Sequence, residues 1–189
     1  MKKLILIIAL GTFSLSSFAQ RSNSEWSLSV GLNSVNSLGS RSPIFHPGDW
    51  GTQFPISAAI ELNWSDNFAI EQSITLNGFT EDDEIDGVNL DKDYNYISFD
   101  THVKYYFGEY IFRRGVDWID FYANAGLGFF HIDETNISAN IGGGVLFWLN
   151  KNRTFGLRTH VIGKFAFNHK DSGLDNNHYQ YHLQAVFKL

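Results

Sequence analysis

The stretch Asn177–Leu189, NHYQYHLQAVFKL, alternates between apolar and polar side chains. Its odd-numbered positions from 179 to 189 are aromatic or aliphatic, and its even-numbered positions from 178 to 188 are polar except for Val186. A period of two places successive side chains on opposite faces of a β-strand. The stretch therefore predicts a strand with one apolar face and one polar face. Taken alone, this pattern fits an ordinary half-buried terminal strand as well as a strand that crosses a membrane.

The start of the chain decides between these two alternatives. Met1–Ala19 has two lysines, an apolar run at Leu4–Leu10 and a small-x-small site at Ser17–Ala19, a pattern typical of a secretory signal peptide. The apolar run has seven residues, which is too short to cross a bilayer as a helix. We therefore expect an exported protein whose mature chain begins at Gln20.

Composition narrows the class of protein further. Loss of the two leader lysines changes the formal net charge from −6 to −8, and an acidic chain is a poor candidate for nucleic-acid binding. The chain has no cysteine, so the disulfides common in small secreted domains do not hold it together. Yet 43% of its residues are hydrophobic and 16% are aromatic, so a core or a membrane must bury them. We expect one domain at residues 20–189, with no transmembrane helix.

Eight segments share the alternation, and each is close to the length of a tilted membrane strand, about 9–11 residues. Their number and spacing predict an all-β fold, an eight-stranded antiparallel up-and-down transmembrane β-barrel. The segments are Glu25–Val35, Phe54–Trp64, Phe68–Phe79, Tyr94–Phe107, Ile119–His131, Ile137–Leu149, Thr154–Asn168 and Asn177–Leu189.

The composition of the two faces predicts which one points outward. The polar faces hold mainly Gly, Ser and Asn with few charges, whereas the apolar faces are bulky and carry aromatics near their ends, such as Trp64 and Phe107. Small polar residues suit a narrow lumen, and a bulky band with aromatic girdles suits lipid. The alternative is a soluble lipocalin-like calycin, whose outer face would be richer in Lys and Glu. Long connections alternating with mostly short ones also favour an outer-membrane barrel.

Four segments resemble the N-terminal barrel of the outer membrane protein A family. They are PGDWGTQFPIS (Pro47–Ser57), ISFDTHVKYYF (Ile97–Phe107), IGGGVLFWLN (Ile141–Asn150) and NNHYQYHLQAVFK (Asn176–Lys188). The resemblance implies a location in the outer membrane of a Gram-negative bacterium. It implies as partners outer-membrane lipids and lipopolysaccharide, the barrel-assembly machinery and another envelope protein, but no nucleic acid. We expect the barrel domain without the soluble peptidoglycan-binding domain that many members carry.

The last strand also resembles the closing strand of such barrels, whose final residues act as an assembly signal. The resemblance departs at Leu189, where these strands usually end in Phe. The residues that it assigns to the signal are Tyr181, Leu183, Phe187 and Leu189.

Several charged and histidine side chains fall on the predicted inward faces, among them Asp100 and Lys164. The interior of an eight-stranded barrel is just wide enough for side chains to fill, and buried charges must pair. We expect a charge layer that closes the lower lumen, with a gated or narrow pore as the alternative. A metal site built from His102, His160 and His182 is a further hypothesis. The predicted layer consists of Glu61, Glu71, Lys104, Asp120 and Arg158.

One predicted outer loop, Thr80–Asp93, is strongly acidic. Asp82, Glu84, Asp86 and Asp93 fall at positions 1, 3, 5 and 12 of a calcium-loop spacing. The pattern departs from a calcium loop at positions 3 and 12, and strands replace the flanking helices. The alternatives are therefore a calcium site, the one cofactor that we consider, and a solvated acidic loop.

Two further loops carry weaker functional signals. His169 and Ser172 lie near the predicted outer mouth, where lipid A deacylases place a His and a Ser, but here the spacing is three instead of two. The predicted loop 36–53 carries Ile44, Phe45 and Trp50, which either contact a partner or pack on the barrel mouth. We expect a small structural, adhesion or accessory-subunit protein and no enzyme, with a lipid-modifying enzyme as the alternative.

Overall fold

The computed structural model describes residues 25–37, 50–81, 83–85, 88–112, 116–168 and 174–189. Within these residues, eight long strands close into an antiparallel barrel, as predicted, and a small hairpin and a short helix are added. The signal peptide predicted at residues 1–19 lies outside the described residues. The elements are β1 (Glu25–Ser37), β2 (Ile56–Asn63), β3 (Phe68–Phe79), β4 (Glu84–Ile85), β5 (Val88–Asn89), β6 (Tyr94–Tyr106), α1 (Gly108–Ile111), β7 (Ile119–His131), β8 (Thr135–Trp148), β9 (Phe155–Ala166) and β10 (His178–Lys188).

Each barrel strand pairs with the next along the chain, and β1 pairs with β10 to close the wall. The row of paired residues that starts at Ser27 runs around the wall to His178 on β10. The direct partner of Ser27 on β10 is Lys188, ten residues further along the strand. This offset around eight strands corresponds to a strand tilt of roughly 40°. Such a barrel has an interior that side chains can fill.

The two faces of the wall point as their composition predicts. Bulky apolar residues project outward, with Leu32 59% exposed and Ile141 60% exposed. Small polar residues such as Ser29, Thr75 and Ser138 point inward and are buried. This arrangement exposes a broad apolar band to the surroundings, which is the surface that a lipid bilayer requires.

The end of the barrel that holds Glu25 and Leu189 is called the periplasmic end here, following the predicted orientation, and the opposite end the extracellular end. At the periplasmic end, the connection from β6 to β7 is longer than a tight turn because it contains α1. This connection lies against the outer wall, since Phe112 stacks on Phe121 with ring centroids 5.7 Å apart. No helix in the described part of the chain is long and apolar enough to cross a membrane.

The hairpin β4–β5 at the extracellular end was not predicted. Its sequence contains Asp86-Gly87, a pair that favours two-residue hairpin loops. Ile85 and Leu90 are buried against barrel residues at this end, including Phe79. The acidic stretch therefore belongs to a connection that folds down on the barrel mouth.

Candidate functional site

Four charged side chains meet inside the periplasmic half of the barrel, and they form what we call the four-charge cluster: Glu61, Glu71, Lys104 and Arg158. The Lys104 ammonium lies 2.8 Å from Glu61 Oε2 and 2.5 Å from Glu71 Oε2. The Arg158 guanidinium bridges the same carboxylates at 2.9 Å and 2.7 Å. Each of the four residues is at most 4% exposed. Two cations and two anions thus balance each other in a buried space, as buried charges must.

Strand register explains why these residues meet. Glu61 on β2 and Glu71 on β3 are direct cross-strand partners, an arrangement in which two like charges repel. Glu71 pairs with His102 on β6, and Lys104 follows two residues later on the same inward face. Arg158 approaches from β9 on the other side of the lumen. The two cations therefore convert a repulsive pair into a neutral cluster.

Neutral polar side chains satisfy the rest of the cluster. The Tyr106 hydroxyl donates to Glu61 Oε1 at 2.6 Å. Gln184 Oε1 accepts from Arg158 Nε at 3.1 Å and from Nη2 at 2.6 Å, while its Nε2 donates to Ser57 Oγ at 2.9 Å. Sequence reasoning did not assign these three residues to the site. The signal that could have found them is their position on the inward face of the strands.

The fifth member of the predicted layer, Asp120, lies elsewhere. Lys104 pairs with Asn124, so Asp120 sits four residues closer to the periplasmic end than the prediction assumed. Its carboxylate accepts a hydrogen bond from the Gly108 backbone N–H at 2.9 Å. The prediction treated the β6–β7 connection as if it aligned the two strand ends, but the register is offset. In the structure, Asp120 ties α1 to β7 and is not part of the four-charge cluster.

A second buried ion pair lies closer to the extracellular end. Lys164 Nζ contacts Asp100 Oδ1 at 2.6 Å. Asn140 Nδ2 donates to the same oxygen at 2.8 Å, and Ser98 Oγ donates to Oδ2 at 3.0 Å. The sequence predicted that both charges point inward but did not pair them with each other.

The three histidines of the metal hypothesis, His102, His160 and His182, lie between these two charged groups. The rings of His160 and His182 pack with centroids 4.5 Å apart, and His160 Nδ1 lies 2.9 Å from the Tyr122 hydroxyl. His102 Nε2 lies 3.3 Å from Asn140 Nδ2. Among the described residues, no group of three or more His, Cys, Asp or Glu is placed to hold a metal ion.

An apolar layer closes the lumen at the periplasmic end. We call it the lower apolar layer. Val186 of the last strand points inward at this level and packs in the layer, which explains why an apolar residue interrupts the polar positions of that strand. Trp148 packs against the layer from one side. Its buried members are Ala69, Tyr106, Tyr122, Leu146 and Val186.

A larger apolar layer fills the extracellular end, and it is called the upper apolar layer here. It combines inward residues near the strand ends with the two hairpin-side residues Ile85 and Leu90. Tyr94 and Leu174 pack against it. Its buried members are Val35, Phe79, Ile85, Leu90, Tyr96, Phe130, Ile132 and Ala166.

The predicted loop sites are described only in part. Asp82 and Asp86 of the calcium hypothesis lie outside the described residues. Glu84 lies in β4, and the Asp93 carboxylate accepts from the Glu81 backbone N–H at 2.9 Å and from Gln53 Nε2 at 3.2 Å. Asp93 thus links the loop to a neighbouring segment.

The remaining loop candidates fall largely outside the described residues, which include neither His169 nor Ser172, and neither Ile44 nor Phe45. Trp50 is described, and its ring stacks on Tyr181 with centroids 5.1 Å apart.

The other residues of the predicted assembly signal point away from the lumen. Leu183 is 49% exposed, Phe187 40% and Leu189 76%. Phe187 lies beside Phe155 on the neighbouring strand, with ring centroids 5.2 Å apart. The assembly role itself stays a prediction.

The closed barrel, its outward apolar band and its filled lumen agree with the family whose description is outer membrane protein β-barrel domain, which matches residues 5–187. The chain belongs to this family. Its location is therefore the outer membrane of Gram-negative bacteria, as predicted. A search of curated protein sequences finds no match.

Two solved structures are similar to the chain in fold. Neisserial surface protein A has 12% sequence identity and a TM-score of 0.53, over 87% of this chain and 96% of its own. The Yersinia pestis outer membrane protein Ail, in a phospholipid bilayer nanodisc, has 15% identity and a TM-score of 0.50, over 88% of this chain and 100% of its own. At these identities the likeness concerns the fold alone.

Proposed function

We propose that this outer-membrane barrel has a structural, adhesion or accessory-subunit role that its surfaces perform, and that its lumen does not conduct ions. The observation that supports the proposal is the order of the layers along the barrel axis. Apolar side chains fill both ends, and the four-charge cluster and the Asp100–Lys164 pair lie between them.

A conducting pore needs a continuous path of water past its charged groups. Here Lys104 and Arg158 are each 1% exposed, and both contact two carboxylates directly. An ion that passes this level would have to separate these buried charges, which have no water around them. Breaking a buried ion pair costs roughly 3–5 kcal/mol. The apolar layers add a second barrier, since a hydrophobic constriction excludes water.

Conductance in planar bilayers tests the proposal. We expect no ion conductance from the wild-type protein and at most a small leak from Lys104→Met, which removes one cation from the cluster. Lys151→Met changes an exposed lysine in a periplasmic turn and serves as the control. A large wild-type conductance that Lys104→Met leaves unchanged would contradict a closed lumen and favour a pore.

We also propose that the protein is not an enzyme. The charged side chains of the four-charge cluster and of the Asp100–Lys164 pair are held in ion pairs, between two apolar layers that separate them from solvent at the barrel ends. Mass spectrometry of lipid A from a deletion strain tests this, and we expect the same acylation pattern as in the parent strain. A change in that pattern, restored by the cloned gene, would support a lipid-modifying enzyme instead.

The proposed partners are outer-membrane lipids and lipopolysaccharide, the barrel-assembly machinery and another envelope protein. The outward apolar band supports the lipid contacts. Co-purification from membranes separates the possible roles, because an accessory subunit should bring a stoichiometric protein partner with it. Recovery of lipid and assembly machinery alone would favour a structural role.

A further inference from the structure

Two polar side chains, Gln72 on β3 and Thr101 on β6, interrupt the outward apolar band on the wall that these strands form. Gln72 on β3 is exposed and faces outward between Ile70 and Ile74. Its cross-strand partners are Ile60 on β2 and Thr101 on β6. An amide at this position faces hydrocarbon when the barrel is in a membrane, and hydrocarbon offers it no hydrogen bonds.

Thr101 satisfies only part of the amide. Gln72 Nε2 donates to Thr101 Oγ1 at 2.8 Å, and Thr101 Oγ1 donates to Gln72 Oε1 at 3.1 Å. A primary amide has two N–H donors and a carbonyl oxygen with two lone pairs. One N–H and one lone pair of Gln72 therefore remain for a group outside this wall.

We propose that this wall is a contact between two copies of the chain in the membrane, in which the Gln72 amides of the two copies exchange hydrogen bonds. An amide complements itself, because each copy offers the donor and the acceptor that the other lacks. A two-fold axis brings the same patch of both copies together, so it places Gln72 against Gln72. Polar side chains that bond across an interface within lipid are a general means of association between membrane segments.

The neighbouring strand leaves room for a second copy to approach. Ala123 and Ala125 on β7 are exposed and project outward beside Tyr105 and Val103 of β6. Short side chains let two backbones come closer together in lipid, which increases van der Waals contact. The wall thus combines an incompletely bonded amide with a shallow surface next to it.

The test measures energy transfer between donor-labelled and acceptor-labelled copies in lipid vesicles. The chain has no cysteine, so Asp66→Cys in the exposed turn between β2 and β3 provides a single labelling site near this wall. We compare this labelled protein with the same protein carrying Gln72→Leu. The matched control carries Thr159→Leu, which replaces an exposed outward polar residue on β9, on another wall.

We expect energy transfer above the level of random mixing for the labelled protein and for Thr159→Leu, and loss of that excess for Gln72→Leu. All three proteins should show the same heat-dependent shift in gel mobility, because leucine is a favourable residue on the lipid-facing side and leaves the barrel folded. Random-level transfer in all three would overturn the proposal. Excess transfer that Gln72→Leu retains would also overturn it, since the copies would then associate through another surface.

Discussion

Lys104→Met removes one of the two cations of the four-charge cluster. Lys104 Nζ contacts Glu61 at 2.8 Å and Glu71 at 2.5 Å, and it lies 4.7 Å from the centroid of the Tyr122 ring. Methionine fills a similar volume without a charge, so little packing is lost. The variant leaves two buried carboxylates with Arg158 as the one cation of the cluster. One negative charge then lacks its partner inside the barrel.

Removing one partner of a buried ion pair costs about 3–5 kcal/mol. For a urea dependence near 2 kcal/mol per molar, this corresponds to a fall of about 2 M in the unfolding midpoint. Urea titration in detergent micelles, followed by tryptophan fluorescence and by gel mobility, measures this midpoint. The exposed Lys151→Met variant should keep the wild-type midpoint.

A second substitution tests the charge argument itself. Lys104→Met combined with Glu71→Gln restores neutrality, because Glu61 and Arg158 then remain as one pair at 2.9 Å. We expect the double variant to recover more than half of the lost free energy of unfolding. Equal midpoints for Lys104→Met and Lys151→Met would refute the reasoning, and so would a double variant no more stable than Lys104→Met.

Two further comparisons test the facing of the wall and its packing. Leu183→Asp should lower the amount of assembled barrel on gels far more than Gln184→Asp, because Leu183 faces lipid and Gln184 faces the lumen. A charge on the lipid face at mid-membrane costs up to about 2–4 kcal/mol for Arg or Lys and somewhat less for Asp. Equal assembly of the two variants would mean that the assignment of outward and inward faces is wrong. Gly126→Ala should lower the urea midpoint, since its Cβ would come within 1.9 Å of the Thr101 carbonyl oxygen, and overpacking costs about 1–3 kcal/mol. Gly163→Ala, whose Cβ would meet its nearest atoms at 3.5 Å, is the matched control and should leave the midpoint unchanged.

The elements of the barrel were largely predictable because alternation is a local signal. The third and fifth predicted segments, Phe68–Phe79 and Ile119–His131, coincide with β3 and β7. The hairpin β4–β5 was missed because its strands have two residues each, too few for a period to be visible. Its acidic sequence suggested a calcium loop and concealed the two residues that pack downward, Ile85 and Leu90.

The sequence predicted which residues of the candidate site point inward, but it predicted less well at which level along the barrel axis each of them lies. Alternation placed Glu61, Glu71, Lys104 and Arg158 on inward faces, and the structure brings all four together. It placed Asp120 inward as well, but an inward face does not specify a level along the barrel axis. For Asp120, that level depends on the register between β6 and β7, in which Lys104 lies opposite Asn124.

The sequence by itself determined the class of fold, the two faces of each strand and the outward direction of the apolar face. These properties follow from the composition and period of short segments. The tertiary structure alone decided which charges pair, because Arg158 and Glu61 are 97 residues apart and meet across the lumen. Their contact depends on the ten-residue offset around the closed wall, which sets the height of every inward side chain. No local pattern encodes that offset, since it is the sum of the register shifts of all eight strand pairs.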